Sequence, residues 1–323
     1  MKKFFLGILI ITLTVFACKD DDDGDDTNIN TPPPRDRAMQ AATDDSILQV
    51  YLKTHFYNYE QFEMPSDTFD YQIVIDTIAG TNSSKTPLID QVTTKKVSFR
   101  DVEQNIYILR QREGVGRKST FIDSTFVTYT GQRIDGEIFD ASPNPVWFDL
   151  VIAIPGFQKG IAGYGGATEI NLGIDGTFNP SNDFGIGAVF IPSGLAYFNS
   201  PTEVGQQYAN LIFTFSVLAV EESDHDRDNV PSIVEDLNTN SNVIDDDTDG
   251  NGTPNFADND DDGDGIATID EDLEPDSDLS VDRDGDGDPT NDIGDGDPTN
   301  DDTDNDGIPN YLDADSTQSR NDS

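Results

Sequence analysis

The sequence predicts an α+β chain: a compact β-rich domain with little helix, followed by an irregular Asp-rich tail. Short β-type runs recur from about residue 70 to 222, with one short helical stretch among them. After Glu222 the apolar periodicity collapses into Asp, Asn, Gly and Pro. Charge follows the same boundary. The 323-residue chain is 35% hydrophobic with a net charge of −44, and 34 of its 63 acidic residues lie in the last hundred positions beside three basic ones. Such a segment cannot bury enough apolar surface to fold by core packing alone. It also argues against nucleic acid as a partner and points to cations.

The N-terminus, MKKFFLGILIITLTVFAC, has two lysines, an apolar run and a small residue before cysteine. Residues 1–18 read as a secretory signal, too short for a comfortable membrane span. Cys18 is the only cysteine, so an intrachain disulfide is impossible. Cys18 is either incidental or the lipidated first residue of a mature lipoprotein, and VFAC resembles the bacterial lipobox. The following KDDDD resembles the export signal that Bacteroidetes lipoproteins carry to reach the cell surface; otherwise it is a solvated acidic spacer. The expected location is therefore an outer-membrane lipoprotein, exposed at the surface or facing the periplasm, held to the membrane by lipid on Cys18.

Residues 19–35 end in three prolines and read as a tether. In 36–64, a helical extension, Thr43 caps a stretch with Ile47, Leu48, Tyr51, Leu52, His55 and Phe56 on one face. His55 is read there as a packing residue. The 65–222 domain carries β-type runs at 71–75, 107–110, 121–130, 146–152, 189–191 and 211–220. Leu211, Phe213, Phe215 and Val217 alternate with more polar neighbours, the mark of a half-buried antiparallel strand. Residues 155–163 read as the short helix.

The stretch VTYTGQRIDGEIFDAS at 127–142 reads as strand, turn and strand. Gly131 and Gly136 permit the turn, and Tyr129 and Phe139 share a face with Asp140 beside them. From the residues alone, these are either core aromatics with a turn-capping aspartate or one wall of a site.

The same stretch resembles the FK506-binding-protein (FKBP) class of peptidyl-prolyl isomerases. Four more segments match in order across 107–222: YILRQREGVG, IPGFQKGIAG, IPSGLAYF and ANLIFTFSVLAVEE. The resemblance implies an FKBP-like antiparallel sheet wrapped on a short helix. It also implies a pocket for proline-containing polypeptides formed by Tyr129, Phe139, Asp140, Ile154, Phe157, Tyr197 and Phe213, with no cofactor for catalysis. Phe157 stands where the family most often has tryptophan, Val146 replaces an aromatic, and 165–183 looks like an insertion. VGQQY at 204–208 replaces the usual Ile-Pro-Pro, and Trp147 is expected outside the pocket. With two histidines and Cys18, at the end of the signal segment, as its only cysteine, the chain has little material for a hydrolase triad. Prolyl isomerisation needs none, because it breaks no covalent bond.

In the tail (223–323), DDDGDGIATIDE matches a calcium-loop template with Asp260, Asp262, Asp264 and Glu271 at positions 1, 3, 5 and 12. Asp247, Asp249, Asn251 and Asp258 repeat the spacing. So do Asp302, Asp304, Asp306 and Asp313, and also Asp224, Asp226, Asp228 and Glu235. A further loop starts at Asp282, Asp284 and Asp286 but has Ile293 at position 12. The phrases DGNGTPNFAD and DNDGIPNYLD resemble thrombospondin type 3 repeats, which implies structural Ca²⁺; a diffuse polyanion is the alternative. The expected protein is a membrane-anchored prolyl isomerase on a calcium-stabilised tail. The alternatives are a catalytically weak FKBP-fold chaperone or binding module, and a structural calcium-binding surface protein.

Overall fold

The structure, a computed structural model, describes residues 33–174, 178–273, 296–317 and 319. Cys18, the KDDDD stretch and the loop beginning at Asp282 lie outside the described residues. Helix α1 (Arg37–Thr54) starts earlier than the sequence reading placed it, because Asp36 caps it by accepting from Met39 N at 2.8 Å. Thr43 therefore sits inside the helix, and its hydroxyl donates to the Met39 carbonyl. Strand β1 (His55–Tyr57) follows, with the His55 ring stacked on Tyr51 at 3.7 Å. After α2 (Tyr59–Glu63), β2 (Ile75–Thr77) pairs antiparallel with β1. The strand expected at 71–75 is mostly absent, since Tyr71 has a left-handed backbone (φ 58°) that no strand accepts.

The main strands are β3 (Thr93–Phe99), β4 (Val102–Arg112), β5 (Ser124–Arg133) and β6 (Ile138–Asp149). A 3₁₀ turn at Leu150–Ile152 ends β6, where the sequence suggested continued strand; the Asp149 carboxylate accepts from Val151 N and holds the turn. Helix α3 (Pro155–Ile161) comes next, then the small hairpin of β7 (Ile170–Leu172) and β8 (Phe178–Pro180) inside the expected insertion. Strands β9 (Gly185–Ile191) and β10 (Leu211–Glu221) complete a six-stranded antiparallel sheet in the order β3-β4-β9-β10-β5-β6.

Alternation along the strands builds two cores. One face presents Ile106, Ile108, Val189, Ile191, Phe213 and Phe215 to Phe157 and Ile161 of α3. The other presents Tyr107, Leu109, Ala188, Phe190 and Ile212 to Leu48 and Leu52 of α1. Every residue of β9 is buried, because helices cover both its faces. Its first half, GIGA, carries small residues rather than an apolar run, so only 189–191 was legible. A Cβ on Gly156 would lie 2.2 Å from Ile191 Cγ2, so glycine lets α3 sit close on β9. Strand β3 went unread because TTKKVSF is mostly exposed, with lysines of the kind that protect a sheet edge.

The tail has its own regularity. In four loops the ninth residue's amide donates to the carbonyl just before the loop: Ser232 to Ser223, Asn255 to Asp246, Thr268 to Asn259 and Asn310 to Asp301. The same ninth side chain receives the amide of the second loop residue, at His225, Thr248, Asp261 and Thr303. Positions four and six have positive φ in every case: Arg227 and Asn229, Gly250 and Gly252, Gly263 and Gly265, Asn305 and Gly307. Glycine and asparagine tolerate that conformation best.

The compositional boundary at Glu222 is not a structural one. Val243 packs with Phe121 and Ile122, flanked by Val151, Ala162, Ile233 and Phe256. His225 Nε2 lies 3.4 Å from Asp149, and the Lys159 amine donates to the Ser241 carbonyl. The described residues from Arg35 onward form one compact unit. Among the described residues, no helix is long and apolar enough to cross a membrane.

Candidate functional site

The β5–β6 hairpin and β10 bring the predicted aromatics together. Phe213 on β10 stands opposite Gly131 on β5, which pairs in turn with Asp140 on β6. Gly131 was read as a turn residue but lies inside the strand. Its use is spatial: a Cβ there would come within 2.7 Å of Phe213 and 2.9 Å of Phe139. Phe139 and Phe213 then meet edge to face at 5.6 Å. Phe157 lies 5.0 Å from Phe213, and Phe148 lies 5.6 Å from Phe157 and 5.9 Å from Tyr129. At the mouth, Tyr129 OH donates to Asp140 Oδ2 at 2.8 Å. Burial, and then Asp140, push the Tyr129 phenol up to about 12.

These side chains enclose a cavity of about 180 Å³, lined by Tyr129, Asp140, Phe148, Ile152, Ala153, Ile154, Phe157, Tyr197 and Phe213. Six of the seven predicted residues line it. Phe139 does not; it stands behind Phe213 and braces that ring. Phe148, Ile152 and Ala153 were missed. Phe148 could have been found, since it lies two residues beyond Val146 on the same strand, where alternation returns it to the same face. Trp147 points away, half exposed, 5.2 Å from Phe126.

Helix α1 also supports the site. Asp44 is fully buried and accepts from Ser193 N at 3.0 Å, Ser193 Oγ at 2.6 Å and Gln40 Nε2 at 2.7 Å. It thus ties α1 to the 193–195 turn that leads into Tyr197. Burial raises the Asp44 carboxyl pKa, and the Ser193 and Gln40 bonds partly offset the shift. Chemically, the lining offers one carboxylate, two phenols and an apolar interior. Apolar cavities of about 150 Å³ accept a benzene-sized ring, so a pyrrolidine fits without rearrangement.

The acidic loops form a second candidate centre. Carboxylates converge at Asp224, Asp226 and Asp228; at Asp260, Asp262 and Asp264; and at Asp302, Asp304 and Asp306. In the second loop, Asn251 Nδ2 bridges Asp249 and Asp258 at 2.9 and 2.8 Å, while Asp247 accepts from the Gly250 and Gly252 amides. Asp313 accepts from Asp315 N. Glu235 and Glu271, the twelfth residues of their loops, are fully buried, and neither carboxylate has a hydrogen-bond partner among the described residues. Burial first, then neighbouring carboxylates, push Glu235 up to about 10 and Glu271 to about 9. Orphaned, all-oxygen, acidic donors are the set that a hard divalent cation such as Ca²⁺ takes.

A family model described as BamM C-terminal matches residues 225–281. No curated protein matches the chain. Among solved structures, a peptidyl-prolyl cis-trans isomerase from Pseudomonas syringae pv. tomato is 24% identical with a TM-score of 0.29, covering 36% of this chain and 76% of that one. FkpA from Escherichia coli is 20% identical with a TM-score of 0.32, covering 57% of this chain and 62% of its own. The N-terminal domain of FKBP42 from Arabidopsis thaliana is 15% identical with a TM-score of 0.30, covering 41% and 95% respectively.

Proposed function

We propose that the chain is a peptidyl-prolyl cis-trans isomerase of FKBP-like fold, anchored to the outer membrane and carrying a calcium-stabilised tail. One observation carries the catalytic reading: an aromatic cavity the size of a proline ring, with the Tyr129–Asp140 pair at its mouth. The barrier to rotation is about 18–20 kcal/mol and arises from amide resonance. Resonance separates charge, so an apolar enclosure disfavours the planar amide relative to the twisted one. Each ~1.4 kcal/mol of selective stabilisation gives about tenfold in rate. Tyr129, held by Asp140, orients a polar group at the rim without donating a proton to the reaction.

The test is cis/trans exchange of a proline-containing peptide, followed by NMR. The full chain should accelerate exchange, and Phe213→Ala should reduce the acceleration by about tenfold or more. A folded chain that leaves exchange at background sinks the catalytic reading. A second reading, a client-holding module, draws on a cleft of about 670 Å³ between the β3–β4 turn, α3 and residues 240–245, which shares Ala153 with the proline cavity. Peptide binding without acceleration would select it.

Anchoring rests on the VFAC sequence at Cys18. Cys18→Ser should move the protein out of the membrane fraction or leave it unprocessed; unchanged fractionation and processing would remove the lipid anchor from the proposal.

A further inference from the structure

The calcium template assigns each ion to ligands from one loop. One group of carboxylates breaks that rule. Asp228 and Glu235 belong to the first loop, Asp261 to the third, and their ligand oxygens lie within 4.8 Å of one another. We infer that Asp228, Glu235 and Asp261 hold one calcium ion shared between the first and third loops, and that this ion staples the distal repeats to the one docked on the sheet domain. The inference rests on the calcium reading proposed above and adds to it a ligand, Asp261, at a loop position outside the template.

Geometry and burial support the shared site. Glu235 is 0% exposed and Asp261 is 1% exposed, and among the described residues neither has a hydrogen-bond partner on either carboxylate oxygen. Asp228 is equally buried; one oxygen accepts from Val230 N at 2.8 Å and the other is unpartnered. Three carboxylates pointing into one dry space repel one another and lose hydration. Calcium–oxygen bonds of about 2.3–2.6 Å put ligands on opposite sides of the ion about 4.6–5.2 Å apart, which accommodates this spacing.

Asp261 occupies position two of its loop. The equivalent residues elsewhere are His225, Thr248 and Thr303, whose amides join the ninth side chain. Asp261 makes that backbone bond too, to Thr268 Oγ1, which leaves its carboxylate free to reach the first loop. Tyr311 of the fourth loop is buried, and after burial itself the charges of Asp261, Glu235 and Asp228 are what most raise its phenol pKa. The first loop is itself fixed to the sheet domain through His225 and Ser223, which meet Asp149 and Asp123. A cation here therefore joins the first and third loops to the domain that precedes them.

The experiment is calcium calorimetry on the full chain, paired with terbium luminescence excited through tyrosine. Asp261→Asn should remove one bound calcium, or weaken one site by about tenfold or more (about 1.4 kcal/mol), and Glu235→Gln should do the same. Both variants should lose the Tyr311-sensitised terbium signal, which Tyr311→Phe identifies and Asp264→Asn spares. The stability effect should also reverse sign: Asp261→Asn raises the tail's melting temperature in chelator and lowers it in calcium. A packing role predicts the same sign in both conditions. Loops that bind calcium while Asp261→Asn changes neither stoichiometry nor the terbium signal would overturn the shared site alone. A chain that binds no calcium would overturn the tail reading with it.

Discussion

The sheet domain and the acidic tail both bury side chains, but they bury opposite chemistry. In the sheet domain the fully buried residues are mostly apolar, Leu48, Leu52, Ile106 and Phe190 among them, with a few hydrogen-bonded polar groups such as Asp44, and the ladder of strands pairs the backbone. In the tail they are Asp228, Glu235, Asp261 and Glu271, with Val230, Val243 and Tyr311 as the few apolar companions. Apolar burial drives folding at about 25 cal/mol per Å², whereas burying a charged carboxylate without a partner costs several kcal/mol. Burial alone thus says little about what holds a region together. The sheet domain is complete in its own atoms; the tail's geometry makes energetic sense with counter-ions in its loops.

Calcium removal tests this contrast with the largest expected effect. A chelator should expose the loops after about residue 245 to protease and enlarge the chain in solution scattering, while amides of β9 and β10 keep their hydrogen-exchange protection. Near-millimolar calcium should reverse the change, in the affinity range of about 10⁻⁴–10⁻³ M typical of extracellular modules, and magnesium should do so poorly because it demands a stricter octahedron. A tail equally protected in chelator and calcium would break the comparison. Loss of protection in β9 as well would show that the two regions share one stability.

The regions also differed in how much of them could be read from sequence. Amphipathic alternation exposed β4, β5 and β10, and the glycine-flanked Tyr129–Phe139 hairpin pointed to the cavity. Segments whose partners come from elsewhere stayed hidden: β3, polar because it is an edge, and β9, part glycine because Tyr164 presses on it. Ile152 and Ala153 became visible only when β6 turned into α3. The tail's fixed spacing made its acidic loops easy to find, but a spacing template holds only residues of one loop. Asp261, placed by the packing of one loop on another, lay outside it. So did the positive-φ need at position four, which Arg227 and Asn305 meet without glycine.

The smallest effect expected comes from the cation at the seam. Lys159 closes α3, sits 3.9 Å over the Phe121 ring and donates to the Ser241 carbonyl of the tail. Burial, then Lys95, lowers its pKa to about 8, and Asp236 partly opposes the shift. The folded value is thus below the ordinary lysine range, so between about pH 8 and 10.5 the unfolded chain binds more protons than the folded one. Stability from this group therefore rises with pH across that window and is penalised below it. Wild type should gain melting temperature relative to Lys159→Met between pH 7 and about 9.5, because tyrosine titration is common to both proteins and cancels in the difference. The measurement is a pair of melting curves in saturating calcium at each pH. Parallel curves would mean that the amine keeps its solvation and that the tail leaves the end of α3 wet. A shift of the difference in favour of wild type with rising pH would mark the seam as a dry contact.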